Sequence, residues 1–539
     1  MNIPVHCPVC RELTDSLIKT FRDRSGLAVR ALITEDDSSW RPARGCCHAC
    51  FVSRDLPRSD SRLNRDHGPF AVLPVPLRAN ADPRFRGSGV TIAFIDSGFF
   101  PHAELKNGVN RILRMTDVTS NRGGAAYFRF PHPESWHGTM SSVIAGGSGS
   151  LSDSFYRGIA DEVRVVCIKV FNRNTRRITE SDIARGIRWA IDHRARFNIR
   201  ILNISVGGDS PKPLAESKVD QLVEEAFAKG ILTIVAAGNT PGKPVLPPAS
   251  APSALTIGGY DDHDHLDRGR WSMYPTTCGV TENNHRKPDL LGPAGSLPGP
   301  LLPRTDQSHE AALLFSILSA SKSAGVRILR EKQNLLRRKP GRIMQHRIQG
   351  WVREQITEAK YISRYHKKME GTSVAAAVIS SVAAQMLEAN PLLGPGDLRS
   401  MLLKSAITVP GVSSGGQETG ILDARGAVSL ALLARHEPHR SGVHRRKGYI
   451  ALLYSATAER SVHLAGDFNG WDTTSTPFQK LEDGRWSCII PLPPDGHDKY
   501  KLFIDGTCWI PDPENDRTEP DGFGGKNSRF PRGESEASR

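Results

Sequence analysis

The sequence lacks the features of a secreted or membrane-spanning chain. Its first residues, MNIPVHCPVCRELTDS, contain no apolar core that could serve as a signal peptide. No stretch reaches the roughly 18 consecutive apolar residues that cross a membrane as a helix. The best candidate, residues 374–387, is shorter and carries two serines and a glutamine. We therefore expect a cytoplasmic protein without a membrane partner.

Cysteine is scarce and unevenly placed, with nine in the chain and five of them in the first fifty residues. An odd count in a reducing compartment argues against a disulfide framework, and clustered thiols favour a metal. Two CxxC pairs supply four thiolates for a structural zinc ribbon. Their cysteines are Cys7, Cys10, Cys47 and Cys50. A variant that uses Cys46 or His48 stays open, and so does a set of reduced thiols.

The composition is that of a soluble chain with several domains. Hydrophobic residues make up 38% and charged residues 24%, and 539 residues are too many for one core. The net charge of +14 points to acidic partners as a class. Changes of pattern divide the chain into five segments. These are a zinc-ribbon-like module (1–55), a polar connector (56–85), an α/β domain (86–435), a basic linker (436–448) and a β-sandwich (449–531).

The third segment alternates short apolar runs with helical stretches. The runs are VTIAFID, VRVVCIKV, IRILNISV, ILTIVAAG and SALTIGG, with helices expected at about 181–196 and 217–229. Uniformly apolar strands that alternate with amphipathic helices indicate a parallel sheet covered on both faces. The predicted fold class is therefore α/β, with a doubly wound parallel sheet.

Four polar residues stand where strands or loops of this domain meet helices. Asp96 ends VTIAFID, His137 opens WHGTMSSVIAGG, Asn239 closes ILTIVAAGN, and Ser373 follows a Gly-Thr step. Each alone is more often a turn or capping residue. Together they supply a nucleophile, a base, a carboxylate to orient the base and an oxyanion donor, which are the parts that acyl transfer by serine requires.

The segments IDSG, HGT, ILNISVGG, VAAGN, KPDLLGPAG and GTSVAA resemble those of the subtilisin-like serine proteases (subtilases, peptidase family S8). The resemblance implies Ser373 as nucleophile, His137 as general base and acid, Asp96 as its orienter, and Asn239 as oxyanion donor. It also implies a strand that pairs with the substrate backbone and a pocket for the residue before the scissile bond. Those positions are Ser205, Val206, Gly207, Gly208, Ala237 and Gly238.

The sequence departs from the family pattern in three places. Ala377 stands where the family usually has proline, and Met140 begins an unusual continuation after HGT. Residues 1–85 contain no recognisable counterpart of the usual pro-domain, so the mode of activation stays open. Calcium binding stays open. The complete set of four residues favours an active endopeptidase over a degenerate protease fold that serves as a binding scaffold.

An insertion of about 304–366 precedes the nucleophile. Apolar residues at helical spacing predict an antiparallel helical hairpin, with one helix over 308–338 and another over 343–362. Residues 304–368 contain fifteen Lys or Arg against five Asp or Glu. A solvated structural hairpin is the leading interpretation. A lid or docking surface for an activating partner comes second, and nucleic-acid binding comes last, because aromatic residues are sparse.

The C-terminal segment contains SVHLAGDFNGWD, DGRWSCIIPLP, YKLFIDGTCWIPDP and DGFGGKNS. It resembles the glycogen-binding, isoamylase N-terminal-like modules of carbohydrate-binding family 48. The resemblance implies Trp471 and Trp509 as stacking platforms for sugar rings, with Lys501 and Asn527 as polar contacts. The competing interpretation is a sandwich used for intramolecular docking, with both tryptophans buried.

Overall fold

The computed structural model describes residues 5–6, 13–14, 70–106, 110–120, 126–338, 347–412, 419–435, 442–446, 449–455, 459–480, 485–493 and 496–531. The four cysteines of the predicted zinc ribbon, Cys7, Cys10, Cys47 and Cys50, lie outside the described residues. Near the N-terminus, β1 (Val5–His6) and β2 (Leu13–Thr14) pair antiparallel. The chain divides into two compact units, a larger one that ends at Val428 and a smaller one that holds the residues from Ser429 onward.

The larger unit contains strands β3 to β14 and helices α1 to α11, the last of which continues past Val428. The strands are β3 (Thr91–Asp96), β4 (Ile112–Asp117), β5 (Arg164–Lys169), β6 (Ile199–Ile204), β7 (Leu232–Ala236), β8 (Leu255–Asp261), β9 (Ser272–Met273), β10 (Gly279–Val280), β11 (Arg286–Lys287), β12 (Leu290–Pro293), β13 (Leu297–Pro300) and β14 (His366–Met369). The helices are α1 (Val75–Arg78), α2 (Ser135–Gly146), α3 (Glu180–Asp192), α4 (Arg194–Phe197), α5 (Lys218–Ala228), α6 (Asp306–Ser319), α7 (Lys322–Lys332), α8 (Ile348–Glu358), α9 (Thr372–Ala389), α10 (Pro395–Lys404) and α11 (Ala424–Arg435).

An eight-stranded sheet forms the centre of this unit, in the order β12-β8-β7-β6-β3-β5-β4, with β9 paired to β8. Every neighbouring pair along that path is parallel. On one face, Ala93 and Ile95 of β3 share a core with α3 and α5. On the other face, Asn203 of β6 donates to Ser380 of α9. The predicted doubly wound parallel sheet is therefore confirmed.

Helix α9 packs through small side chains. A Cβ added to Gly292 of β12 would lie 3.1 Å from the Ala375 Cβ, so the helix approaches the sheet closely. With 18 residues, the helix is longer than the apolar stretch noted in the sequence. By length and composition alone it is apolar enough to cross a membrane. Its side chains are nevertheless almost all buried inside the unit, as in the core helix of a globular protein.

The predicted connector differs from the structure over its last part, because residues 70–85 belong to the larger unit. Val72, Leu73 and Val75 are buried. The Arg78 guanidinium binds the Asp262 carboxylate, with Nε 2.7 Å from Oδ2, and neither side chain is exposed to solvent. The apolar residues here are separated by prolines and arginines, which concealed their pattern in the sequence.

The insertion contains three helices in its described part, and not the two-helix hairpin that the spacing predicted. The first predicted helix is interrupted at Ala320, which has an extended backbone, and Ser321 then caps α7 by accepting from the Ala324 N–H. One core joins the helices. It includes Leu314, Ile317, Leu329, Ile348, Val352 and Ile356. The insertion leaves and rejoins the unit through the antiparallel pair β13–β14.

The part of the smaller unit from Gly442 onward forms a β-sandwich. Its strands are β15 (Gly442–Arg446), β16 (Tyr449–Tyr454), β17 (Val462–Gly466), β18 (Gln479–Lys480), β19 (Trp486–Pro491), β20 (Lys499–Ile504), β21 (Cys508–Ile510), β22 (Thr518–Pro520) and β23 (Lys526–Arg529). They form two antiparallel sheets, β15-β16-β19-β18 and β17-β20-β23-β22, with β21 paired to β20. Leu452 and Trp486 from the first sheet share one core with Leu464 and Leu502 from the second.

Candidate active site

Asp96 and His137 are held together at the carboxyl end of β3. Asp96 is the last residue of the strand and only 1% exposed. Its two carboxylate oxygens lie 2.8 and 2.9 Å from His137 Nδ1. The Ser97 N–H also donates to Asp96 Oδ1, at 2.6 Å. A carboxylate that accepts at Nδ1 leaves Nε2 of the neutral ring unprotonated, as a general base requires.

Gly138 allows the helix of His137 to approach the strand of Asp96. A Cβ at this position would clash with the Gly98 carbonyl oxygen and lie 2.6 Å from the Phe99 ring and 2.9 Å from the Asp96 Cβ. With any larger residue at position 138, the helix that begins at Ser135 could not approach the end of β3 this closely. The glycine therefore fixes the distance between the imidazole and the carboxylate.

Two opposing effects act on the His137 pKa. Burial lowers the pKa, and the negative charge of Asp96 together with its hydrogen bonds raises it by more, so the pKa of His137 lies above the ordinary 6.5. The side chain is 25% exposed, so a substrate can reach the ring.

Asn239 is oriented by the start of α9. Its Oδ1 accepts from the Thr372 backbone N–H at 2.9 Å and from the Thr372 hydroxyl at 3.1 Å. The same hydroxyl accepts from the Gly238 N–H at 3.1 Å. With Oδ1 fixed in this way, the amide must direct Nδ2 away from Thr372. No described residue accepts a hydrogen bond from Nδ2.

The nitrogen atoms Asn239 Nδ2 and Ser373 N both lie near one point beside Gly371. The point that a Gly371 Cβ would occupy lies 3.4 Å from Nδ2, 3.7 Å from Oδ1 of the same amide and 3.8 Å from the Ser373 N atom. Gly371 has a φ of +135°, a conformation that favours glycine, so this space stays open. Two N–H donors around an open space at a helix start form a site that suits a negative oxygen.

Ser373 is the second residue of α9 and is 8% exposed. Helix α9 packs against α2, which carries His137. Among the described residues, no hydrogen bond joins Ser373 Oγ to His137 Nε2. Such bonds are often long without substrate and shorten in its complex. The structure therefore shows Asp96 bonded to His137, and Asn239 bonded to the start of the helix that carries Ser373. The packing of α2 against α9 brings these two parts of the site together.

The predicted substrate strand differs from the structure, because β6 ends at Ile204 and Ser205–Gly208 follow it as an irregular segment. The Gly208 N–H donates to the Pro247 carbonyl oxygen at 2.6 Å. A sequence pattern of apolar residues could not locate this end, because Val206 continues the run without forming strand hydrogen bonds. The backbone of this segment still lies at the carboxyl end of the sheet.

Thr277 supports the site, although no pattern in the sequence marks it. Its N–H donates to the Gly238 carbonyl oxygen at 2.9 Å, and its Oγ1 accepts from the Thr240 N–H at 3.2 Å. Thr277 therefore braces the segment that carries Ala237, Gly238 and Asn239. It lies in a loop between strands, where no periodic signal marks it.

Metal ligands do not cluster in the part of the chain that the structure describes. There, no group of three or more His, Cys, Asp and Glu side chains is placed to hold an ion. The zinc prediction concerns residues outside that part and stays a prediction.

In the smaller unit, two of the predicted carbohydrate residues lie close together. The Trp471 and Trp509 ring centroids are 6.2 Å apart, and Trp509 is 42% exposed. Lys501 Nζ donates to Asp521 Oδ2 at 2.6 Å, whereas Asn527 is mostly buried. Trp509 is thus open to solvent, and the docking interpretation, in which both tryptophans are buried, stays a prediction.

Comparison with known proteins identifies the family of the chain. Residues 87–449 match the profile of the Subtilase family, which is well over half of the chain. The chain belongs to the subtilase family. Residues 438–520 match Carbohydrate-binding module 48 (Isoamylase N-terminal domain). The predicted family and its C-terminal module are thereby confirmed.

Relatives of this subtilase include Serine protease AprX of Bacillus subtilis (strain 168), 25% identical over 59% of this chain and 61% of AprX. Subtilisin BL of Lederbergia lenta is 26% identical over 38% of this chain and 68% of its own length. Among solved structures, a mutant of the protease domain of PatA is 20% identical, with a TM-score of 0.42, over 64% of this chain and 97% of that one. The subtilase thus spans about six tenths of the length of AprX.

Proposed function

We propose that the larger unit is a serine endopeptidase that hydrolyses peptide bonds through an acyl-enzyme. The observation that carries the proposal is the pair of fixed contacts at one end of the sheet. Asp96 accepts from His137 Nδ1, and Thr372 fixes the Asn239 amide beside Ser373. The match to the subtilase family supports the same chemistry.

In the first half of the reaction, His137 Nε2 takes the proton of Ser373 Oγ as that oxygen bonds to the scissile carbonyl carbon. The negative charge moves to the carbonyl oxygen, where Asn239 Nδ2 and the Ser373 N–H donate to it. The intermediate then collapses, the C–N bond breaks, and the amine leaves with the proton held by His137. Asp96 accepts from Nδ1 throughout and stabilises the imidazolium.

In the second half, His137 takes a proton from water, whose oxygen attacks the ester carbon. Collapse of this intermediate breaks the bond to Ser373 Oγ and returns the proton to it. The backbone of Ser205, Val206, Gly207 and Gly208 supports the extended substrate, and Gly208, Ala237 and Gly238 line the pocket for the residue before the scissile bond.

Labelling with a fluorophosphonate probe tests this proposal. We expect the wild-type chain to be labelled and Ser373→Ala to be inert both to the probe and in peptide hydrolysis. Ser381→Ala is the matched control, because Ser381 lies on the same helix and its hydroxyl donates to the Val378 carbonyl oxygen, at 2.6 Å. Hydrolysis that survives in Ser373→Ala refutes the proposal. Absence of labelling in the wild type favours the scaffold, and labelling only after a partner or a cut is added indicates a zymogen.

We propose a second function for the smaller unit, the binding of an α-glucan. Trp471 and Trp509 form an aromatic surface, and Trp509 also contacts Phe503 at 4.9 Å between ring centroids. Phe523 is 95% exposed in the turn that follows Asp521, the partner of Lys501. Aromatic faces beside a fixed charged group suit a sugar chain.

Titration of the full chain with maltoheptaose by calorimetry tests the second function. We expect saturable heat in the wild type, a loss of about tenfold or more in affinity for Trp509→Ala, and no change for Trp189→Phe in the larger unit. A flat titration of the wild type supports docking in place of glucan binding.

A further inference from the structure

Trp136 is a large aromatic side chain that lies open to solvent beside the proposed general base. It is 47% exposed, and its ring packs edge-on against the His137 imidazole with 5.2 Å between centroids. Trp271 in the same unit is buried and donates its indole N–H to the His265 carbonyl oxygen at 2.8 Å. The indole N–H of Trp136, by contrast, has no acceptor among the described residues.

The backbone around Trp136 is held rigidly from both sides. The Ser135 N–H donates to the His132 carbonyl oxygen at 2.9 Å, and the Ser135 carbonyl oxygen accepts from the Thr139 hydroxyl at 2.7 Å. His132 stacks on Tyr127, with 4.5 Å between ring centroids. A ring exposed on so well-supported a segment is preorganised for contact, because little conformational freedom remains to be lost.

We propose that Trp136 determines specificity, as a contact for an apolar substrate side chain next to the scissile bond. The proposal rests on the proposed peptidase function. In that function, His137 Nε2 must reach both Ser373 Oγ and the departing nitrogen, so the scissile bond lies close to the imidazole. A ring in contact with that imidazole lies within one or two substrate residues of the bond. Its face offers apolar area, and burying an apolar substrate side chain on it removes both from water.

Peptide substrates that differ at one position test the assignment. One series varies the second residue before the scissile bond and another varies the first residue after it, each with leucine, phenylalanine or serine. We expect the wild type to prefer the apolar residues in kcat/KM at one of the two positions. In Trp136→Ala this preference over serine should fall about tenfold, as hydrophobic pockets discriminate by such factors, and Trp136→Phe should keep most of it.

Phe130→Ala is the matched control, since Phe130 is 60% exposed in the same segment but packs against Arg304 and not against His137. Its apolar preference should equal that of the wild type. An unchanged preference in Trp136→Ala at both positions overturns the assignment. An equal loss of kcat/KM for all substrates also overturns it, because such a loss indicates that Trp136 only supports His137. A wild-type chain that no fluorophosphonate labels, even after a partner or a cut is added, refutes the peptidase function itself. A labelled chain with a flat preference refutes only the role of Trp136.

Discussion

We predict a graded loss of turnover when the Asn239 amide is removed or when the hydrogen bonds that orient it are weakened. In Asn239→Ala the donor Nδ2 disappears, and we expect kcat to fall by about 10²–10³, the loss known for the oxyanion asparagine of subtilisin. In Thr372→Val the donor remains, but Oδ1 keeps only the backbone N–H of Thr372 at 2.9 Å and loses the hydroxyl at 3.1 Å.

The size of the Thr372→Val effect follows from the bonds that change. The substitution removes one neutral hydrogen bond to Asn239 and one from the Gly238 N–H, but only the first orients the donor. One such bond contributes about 1 kcal/mol, which corresponds to a loss of about fivefold in kcat. KM should change little in either variant, because the amide binds charge that develops only in the transition state.

Steady-state kcat and KM on a peptide anilide measure the series. Thr256→Val is the matched control, since Thr256 is a buried threonine of β8 whose hydroxyl donates to the Ala249 carbonyl oxygen at 2.6 Å, away from the site. Its kcat should equal that of the wild type. A near-normal kcat in Asn239→Ala refutes the oxyanion role. Equal losses in Thr372→Val and Thr256→Val show that lost stability, and not orientation, lowers the rate.

Three further predictions follow from buried or crowded groups. Because Asp96 raises the pKa of His137 above 6.5, and only the neutral ring accepts a proton, kcat/KM should fall as the pH drops through a value above 6.5. In Asp96→Asn, burial alone acts on the pKa, so the pH profile should move to lower pH while kcat falls by about 10⁴. Gly138→Ala should lower both the melting temperature and kcat, because its Cβ has no room; an unchanged kcat contradicts the close-approach argument. Arg78→Met removes the ion-pair partner of the buried Asp262 carboxylate and should lower the free energy of unfolding in urea by about 3–5 kcal/mol. The double variant Arg78→Met with Asp262→Leu should restore most of that loss. A small loss in the single variant refutes the importance of the ion pair.

The parallel sheet was predictable because its strands are buried on both faces. Runs such as VTIAFID have no polar alternation, and the intervening helix signals at 181–196 and 217–229 correspond to α3 with α4 and to α5. The insertion was less predictable. Its apolar spacing continues through Ala320, and only the capping by Ser321, a local competition between a side chain and the helix, divides the first helix.

The site residues could be identified in the sequence from their positions where strands or loops meet helices. Their contacts could not be predicted from the sequence. That Asp96 ends an apolar run just before Ser97-Gly98 can be read from the sequence. The role of Thr277 depends on a loop that returns to Gly238 from much further along the chain, which spacing does not encode. The end of β6 at Ile204 is likewise set by hydrogen bonding and not by hydrophobicity.

Each group of the site is held by a different part of the fold. Asp96 is fixed by β3, His137 by the close approach at Gly138, and Asn239 by the first residue of α9. Gly371, which precedes that helix, donates its N–H to the Ala294 carbonyl oxygen at 2.9 Å, just after β12. Strand β12 is at one edge of the sheet path and β3 lies four strands away, so the donor space and the base depend on the whole sheet keeping its register. A change that loosens any strand between them should therefore lower kcat before it unfolds the protein, because the geometry of transfer tolerates less displacement than the core does.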